Sequence, residues 1–283
     1  MNKKEGAGVK FADLHLHTAS SDGTYTPVEL TSKALDAGLS CIAVTDHDTV
    51  EALEETIAIG NERGLEVLPG IELSAEYESQ EVHVLGYLVD YKSPPFLKQL
   101  KILKENRIKR VHKIVEKLNL LGIGLNAQDV FNISGDATPG RLHIARALVK
   151  SGFVKSIFEV FNKYIGDKGP AYSLGFRFSP REAIKFIRDA GGVPVLAHPY
   201  ILHNDELILE FIRLGLMGIE VYYPEHSQGE VNFYLNLAKE HNLLVTGGSD
   251  CHGKAKPEVR IGSLKIPYEL VEKLKAACLS AGR

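Results

Sequence analysis

Phe11-Ala12-Asp13-Leu14-His15-Leu16-His17-Thr18, followed by Ser21-Asp22-Gly23, is the stretch on which the reading of this 283-residue chain turns. In an extended segment alternate side chains point to the same side. A strand over Phe11 to His17 therefore sets Asp13, His15 and His17 on one face, with Leu14 and Leu16 on the other. Two imidazoles two residues apart stand roughly 6.6 Å apart along a strand and can hold one metal ion. Taken alone, the same histidines could equally close ordinary hydrogen bonds at a strand end. The rest of the chain decides.

After Asp22, Thr26-Pro27 reads as the cap and first position of a helix that stops at Gly38. Cys41 to Val44 is a short buried strand delivering Thr45-Asp46-His47-Asp48. A helix over about 50–63 ends at Gly64, and two strand-like runs follow, Val67 to Glu72 and Val82 to Leu88. Strands alternating with helices imply a mostly parallel sheet whose function gathers at the carboxyl ends of its strands. His17, Asp46, His47 and Glu72 fall at such ends. The rhythm breaks at Ser93-Pro94-Pro95. From Phe96 to Leu121 apolar residues recur at helical spacing, and two further helices are expected, one opened by Thr138-Pro139 and one from Val154 to Tyr164. Residues 96–174 read as a helical insertion between barrel segments 9–95 and 175–283. The alternation then resumes. Strands ending at Ala197, Tyr222 and Thr246 run into His198-Pro199, Pro224-Glu225-His226 and Ser249-Asp250-Cys251-His252.

Apolar content of 44%, charge of 24% and a net charge of −3 describe an ordinary globular chain. They argue against broad electrostatic binding of nucleic acid, though a local basic stripe remains open. Three scattered cysteines form neither a disulfide framework nor a thiolate zinc cluster. Without a signal-type apolar core or a run of transmembrane length, a soluble, cytoplasmic protein is expected, with no membrane contact and no obligate protein partner.

The strand-end groups are His15, His17, Asp22, His47, Glu72, His83, His198, Asp250 and His252. Converged without cations, the carboxylates would repel one another and the imidazoles would be half-satisfied. Bound divalent cations remove that conflict, and a nitrogen and oxygen set without sulfur leans toward manganese, iron or zinc. Asp13, Asp46 and Asp48 are candidates for orienting imidazoles. No serine or cysteine stands in a convincing triad. His112, His203 and His241 have no motif around them and read as surface residues.

Asp-Leu-His-Leu-His-Thr, Thr-Asp-His-Asp, Pro-Gly-Ile-Glu-Leu-Ser, Ala-His-Pro and Gly-Ser-Asp-Cys-His closely resemble, in order, the signature segments of the polymerase and histidinol phosphatase (PHP) family. The resemblance implies an α/β fold, a distorted (β/α)7 barrel with a metal cluster of two or three ions (manganese first; zinc, iron or magnesium as alternatives). It implies one site of His15, His17, Glu72 and Asp250, a second sharing Glu72 with His83 and His198, and a third of Asp22, His47 and His252. Some members carry His where this chain has Asp22, a change that favours manganese or magnesium. Chemically, such a cluster neutralises phosphate oxygens and activates hydroxide for attack on phosphorus. Here His15, His17, Asp22, His47, Glu72 and Asp250 would hold it.

One branch of the family, with similar Arg and Arg-x-His elements in its insertion, resembles nucleoside 3′,5′-bisphosphate phosphatases that also trim short RNA from the 5′ end. The implied activity is release of the 3′-phosphate from nucleoside 3′,5′-bisphosphates, with shortening of small 5′-phosphorylated oligonucleotides. Arg107, Arg110, Arg141 and His143 are expected to grip the non-scissile phosphate, since arginine binds phosphate bidentately. His226 is expected near the substrate. The rivals are a histidinol-phosphate phosphatase and a nucleotide-binding module without catalysis.

Overall fold

The computed structural model describes residues 9–78, 80–166, 168–174 and 178–280. Its strands are β1 (Phe11–Leu16), β2 (Cys41–Val44), β3 (Glu66–Tyr77), β4 (Gln80–Tyr87), β5 (Val193–Leu196), β6 (Gly218–Tyr222), β7 (Leu244–Gly247) and β8 (Ile266–Pro267). They lie in one sheet in the order β7-β6-β5-β4-β3-β2-β1-β8. The sheet curls until β1 meets the end of β7. There the His17 amide donates to the Cys251 carbonyl at 3.1 Å and the Asp250 amide to the His15 carbonyl at 2.9 Å. Gly248 permits this approach, because a Cβ there would sit 2.3 Å from the His15 amide nitrogen. The result is the expected α/β barrel, nearly closed, with β8 a short antiparallel addition to β1.

The helices are α1 (Pro27–Asp36), α2 (Leu53–Arg63), α3 (Pro94–Leu120), α4 (Ala127–Ser134), α5 (Arg141–Lys150), α6 (Ile157–Val160), α7 (Pro180–Asp189), α8 (Glu206–Arg213), α9 (Gln228–Glu240) and α10 (Glu269–Ser280). Local sequence explains their starts. Thr26 with Glu29 and Ser179 with Glu182 form reciprocal capping boxes, each followed by proline at the first helical position. Helix α6 continues into a π-helical turn, Phe161–Ile165.

The sheet differs from the expected parallel pattern at β4, which runs antiparallel to both β3 and β5. Only residues 73–81 separate the two apolar runs, too few for a crossover helix, so a hairpin follows. Glu72 and His83 consequently lie inside strands rather than at carboxyl ends. Helix α4, strand β8 and helix α10 are additions to the elements expected from the sequence.

Both faces of the sheet are covered. In β2, Cys41 and Ala43 join a cluster that includes Val271 and Leu274 of α10, whereas Ile42 and Val44 join a larger cluster with Leu30 of α1 and Ile187 of α7. Burial on both sides is why these strands read as continuous apolar runs. The segment between β4 and β5 has its own apolar cluster, in which Ile114 and Leu118 of α3 pack with Val130 of α4, Ile144 and Leu148 of α5 and Val160 of α6.

Candidate metal centre

Alternation along β1 buries Asp13, His15 and His17. Glu72 of β3 is the hub onto which the other groups converge. Its Oε2 lies 3.3 Å from His15 Nε2, 3.2 Å from His17 Nε2 and 3.2 Å from His47 Nδ1. Its Oε1 lies 2.7 Å from His83 Nδ1 and 3.1 Å from His198 Nε2. Asp250 Oδ1 stands 3.0 Å from His17 Nε2 and 3.5 Å from His15 Nε2. On the far side, Asp22 Oδ1 is 3.2 Å from His252 Nε2, and Asp22 Oδ2 is 3.8 Å from His47 Nε2. All nine groups named from the sequence are thus brought together.

Three sets have donor atoms within 4.8 Å of one another: His15, His17, Glu72 and Asp250; His17, Asp22, His47 and His252; and His47, Glu72 and His83. The first is the set implied by the family resemblance; the second adds His17 to the implied Asp22, His47 and His252, and the third has His47 where the resemblance puts His198, which instead reaches Glu72 Oε1 at 3.1 Å. The others show His17 and His47 each turning one ring nitrogen toward either side of the cluster. Both ring nitrogens of His17, Nδ1 of His47 and Oδ1 of Asp22 are buried without a hydrogen-bond partner among the described residues. A buried polar atom left so costs about 1–3 kcal/mol. Donors that crowd to 3.0–3.5 Å yet form few hydrogen bonds point at shared positions between them, and the donor set suits divalent cations.

Electrostatics agree. Burial alone would raise the carboxyl groups of Glu72 and Asp22, but the surrounding imidazoles outweigh it and hold both well below the usual range. Burial would lower His17 and His83, yet neighbouring carboxylates lift each to about 9. Burial and the neighbouring cationic groups hold His47 and His252 down instead, and neutral imidazole is the form that ligates a metal.

The side chains behind the cluster fix its geometry. His15 Nδ1 donates to Glu220 Oε1 at 2.9 Å, and Glu220 Oε2 accepts from the His198 amide at 2.8 Å. His83 Nε2 donates to Glu81 at 2.9 Å, and His252 Nδ1 to the Asp250 carbonyl at 2.8 Å. Each of these imidazoles so turns its other nitrogen toward the centre. Tyr223 OH and Lys256 Nζ both donate to Asp250 Oδ2, at 2.9 and 3.0 Å, leaving Oδ1 for the cluster. His198 and Asp250 carry φ of 28° and 56°, strained values for residues with side chains that these contacts maintain.

The three aspartates behind the ligands do other work than orienting imidazole rings. Asp13 accepts from the Ser249 amide and hydroxyl at 2.8 and 2.7 Å and from the Gly262 amide at 3.0 Å. Asp46 braces the loop that carries Asp22, through Thr18 and Ser21. Asp48 accepts from the Ser74 amide at 3.0 Å and from Arg107 Nε at 2.5 Å. Glu220, Glu81, Tyr223 and Lys256 were missed in the sequence. Glu220 alone left a signal, an acid inside the apolar run Ile219 to Val221, where an acid survives only if partnered.

The segment between β4 and β5 touches the centre through its Thr138-Pro139-Gly140 turn. The Thr138 amide donates to the Ser20 carbonyl at 3.0 Å, beside Asp22. His143 Nδ1 accepts from the Gly140 amide at 3.1 Å, so its proton sits on Nε2, and burial pushes this imidazole down to about 4. Arg107 also donates to Ser74 Oγ at 2.7 Å. Arg110 donates to the Ser173 carbonyl at 2.9 Å, and Arg141 pairs with Glu81 at 2.6 Å. The crevice bounded by Arg107, Arg110 and Arg141 is only about 10 Å³, room for one water. His226 donates through Nδ1 to the Val221 carbonyl at 2.8 Å and lies among the rings of Tyr200, Tyr223 and Tyr234. His112 and His203 are exposed and His241 is partly so.

The profile of the PHP domain matches residues 13–132. The chain is 34% identical over 246 residues to the 3′,5′-nucleoside bisphosphate phosphatase of Chromobacterium violaceum, an alignment spanning 85% of this chain and 86% of that protein. The chain belongs to the PHP family. The 5′-3′ exoribonuclease of Haemophilus influenzae is 32% identical to it over 85% of this chain and 89% of its own length. A crystal structure described as that of a candidate metal-dependent phosphoesterase from Bifidobacterium adolescentis superposes with a TM-score of 0.86 at 32% identity, covering 96% of each chain. This PHP-family chain is a metal-dependent phosphoesterase, a hydrolase of phosphate esters. Among the described residues no helix is long and apolar enough to cross a membrane.

Proposed function

We propose that the enzyme releases the 3′-phosphate from nucleoside 3′,5′-bisphosphates and shortens small 5′-phosphorylated oligonucleotides, with manganese as the working metal. The carrying observation is a cluster of eight imidazole and carboxylate groups in metal-holding sets, joined by His198 through its contact with Glu72 and flanked by the arginines of the segment between β4 and β5. The named activities of the two relatives point to the same substrates. In this reading residues 96–174 form a substrate cap over a barrel made of the rest of the chain.

Bound divalent cations supply charge neutralisation at phosphorus and a more acidic attacking water. The protein's own part is positional. His15, His17, Glu72 and Asp250 would hold one cation, Glu72, His83 and His198 a second, and Asp22, His47 and His252 a third. Glu220 and Glu81 keep the imidazoles turned inward. His143 offers its Nε2 proton, and Arg107, Arg110 and Arg141 grip the phosphate that is not cleaved, with His226 at the substrate's far edge. The crevice among the three arginines opens when phosphate replaces Glu81 and Asp48 as their anion.

A manganese-supplemented assay on adenosine 3′,5′-bisphosphate, monitored for inorganic phosphate, tests this. Release of phosphate from the 3′ position is expected. No release from this substrate, while histidinol phosphate or another phosphoester is cleaved, would keep the enzyme class and remove the substrate.

A further inference from the structure

One arginine of the α3–α6 segment differs from the three above. Arg146 of α5 is about half-buried, and it forms no hydrogen bond or ion pair among the described residues. Burial lowers its guanidinium, and the carboxylate whose charge it feels is that of Asp22 at the metal cluster. Arg146 lines an open cavity of about 490 Å³ together with Asn132, Ile133, Val149, Lys150 and Ile157. No carboxylate is among these residues. Arg146 and Lys150 stand four apart on one helix face, where like charges repel unless an anion lies between them. Gln128 Nε2 donates to Asn132 Oδ1 at 3.0 Å, a contact that uses the Asn132 oxygen and not its amide hydrogens, which remain donors. Two cations and an amide thus meet over apolar walls, in a volume that admits a nucleotide unit.

We infer that this cavity binds the phosphodiester one nucleotide beyond the scissile one, on its 3′ side, and that it is what extends the enzyme's substrates from mononucleotides to short single strands. The inference rests on the nucleotide substrates proposed above. In this cavity positive groups meet a space larger than a water, with no carboxylate in its walls. None of its lining residues is among the groups assigned to the bisphosphate above, so a nucleoside bisphosphate is expected to be held without it.

The test compares the manganese-loaded wild type with R146Q/K150Q, and with R146K as the conservative control, after thermal melts confirm that each folds. Binding of a fluorescent 5′-phosphorylated tetranucleotide with cleavage-resistant phosphorothioate linkages is followed by anisotropy across a salt series, beside phosphate release from adenosine 3′,5′-bisphosphate. The double variant is expected to bind the tetranucleotide on the order of tenfold more weakly, with its salt slope reduced by about 0.7 for each phosphate it no longer neutralises. R146K recovers most of that affinity, and release from the bisphosphate stays within twofold. Unchanged tetranucleotide binding, or no binding by the wild type, overturns the inference. An equal loss on both substrates also overturns it, because Arg146 would then serve the mononucleotide site. If the wild type binds the tetranucleotide through Arg146 yet hydrolyses no bisphosphate, the cavity stands and the substrate assignment falls.

Discussion

The metal cluster and the arginines of the α3–α6 segment are both charged, buried and close together, yet they are built on opposite principles. In the cluster, donors face one another with their hydrogen-bonding capacity unspent, since both His17 nitrogens, His47 Nδ1 and Asp22 Oδ1 have no hydrogen-bond partner among the described residues. In the segment, Arg107, Arg110 and Arg141 are tied to Asp48, Ser173 and Glu81. Unspent donors mark a place prepared for a cation. Tied arginines mark a place that opens only when a competing anion arrives.

The largest effect that separates the two regions comes from E72Q. Glu72 is shared by five imidazoles, and an amide keeps its shape while losing the charge. Phosphoesterase turnover is expected to fall on the order of 10³-fold, the loss of several kcal/mol of charge stabilisation. Metal content measured by elemental analysis should fall with it. A variant that keeps full metal and full activity would show that the cluster is not the reacting centre.

E220Q comes next. Its carboxylate ties His15 to the His198 backbone, joining two parts of the cluster without being a ligand itself. Metal affinity is expected to drop 10- to 100-fold, as for other outer partners of ligating histidines, and kcat should recover at high metal concentration. A kcat that stays low in saturating metal would give Glu220 a different role.

R141Q probes the other region. Its expected signature is a KM for the bisphosphate raised about tenfold, with kcat within a factor of three and metal affinity unchanged, the mark of uniform binding lost. Were metal affinity to fall instead, the partnership of Arg141 with Glu81, and through it His83, would matter more than any grip on substrate.

How much of this was legible follows the same division. The ligands of β1 could be read because a strand's period of two is visible in Asp13, His15 and His17. His47, His198 and Asp250 were visible because each follows an apolar run directly. What escaped depends on partners distant in sequence. The direction of β4 is not written in its composition, although the nine residues of 73–81 were too short for a helix. Asp46 and Asp48 looked like imidazole partners because they flank His47, whereas an acid's partner is set by tertiary contact, here Thr18, Ser21 and Arg107. Glu81 stands two residues from His83, so the strand's period of two sets both on one face, but the expected strand begins only at Val82 and leaves Glu81 outside it. Arg146 was passed over beside Arg141 and His143, because no sequence pattern tells a paired arginine from an unpaired one.

The smallest expected effect bears on how rigidly the two regions are joined. Gly140 has φ −146° and ψ 179°, an extended conformation open to any residue, so its lack of a side chain is not a backbone requirement. A Cβ there would lie 3.1 Å from Arg107 Nη1 and 3.9 Å from Asp22 Oδ2, touching both regions at once. In G140A the softer neighbour must yield. Asp22 is braced through its own loop by Asp46, whereas Arg107 ends in a long flexible chain, so the guanidinium should move by a few tenths of an ångström and Asp22 should stay. Misplacement of about 1 Å can cost 10²-fold in rate, so a shift this small is expected to lower kcat/KM by on the order of threefold, with metal affinity and melting temperature unaltered. If metal affinity drops in G140A, Asp22 is the part that moved, and the segment's turn is then a support of the cluster as well as a neighbour to it.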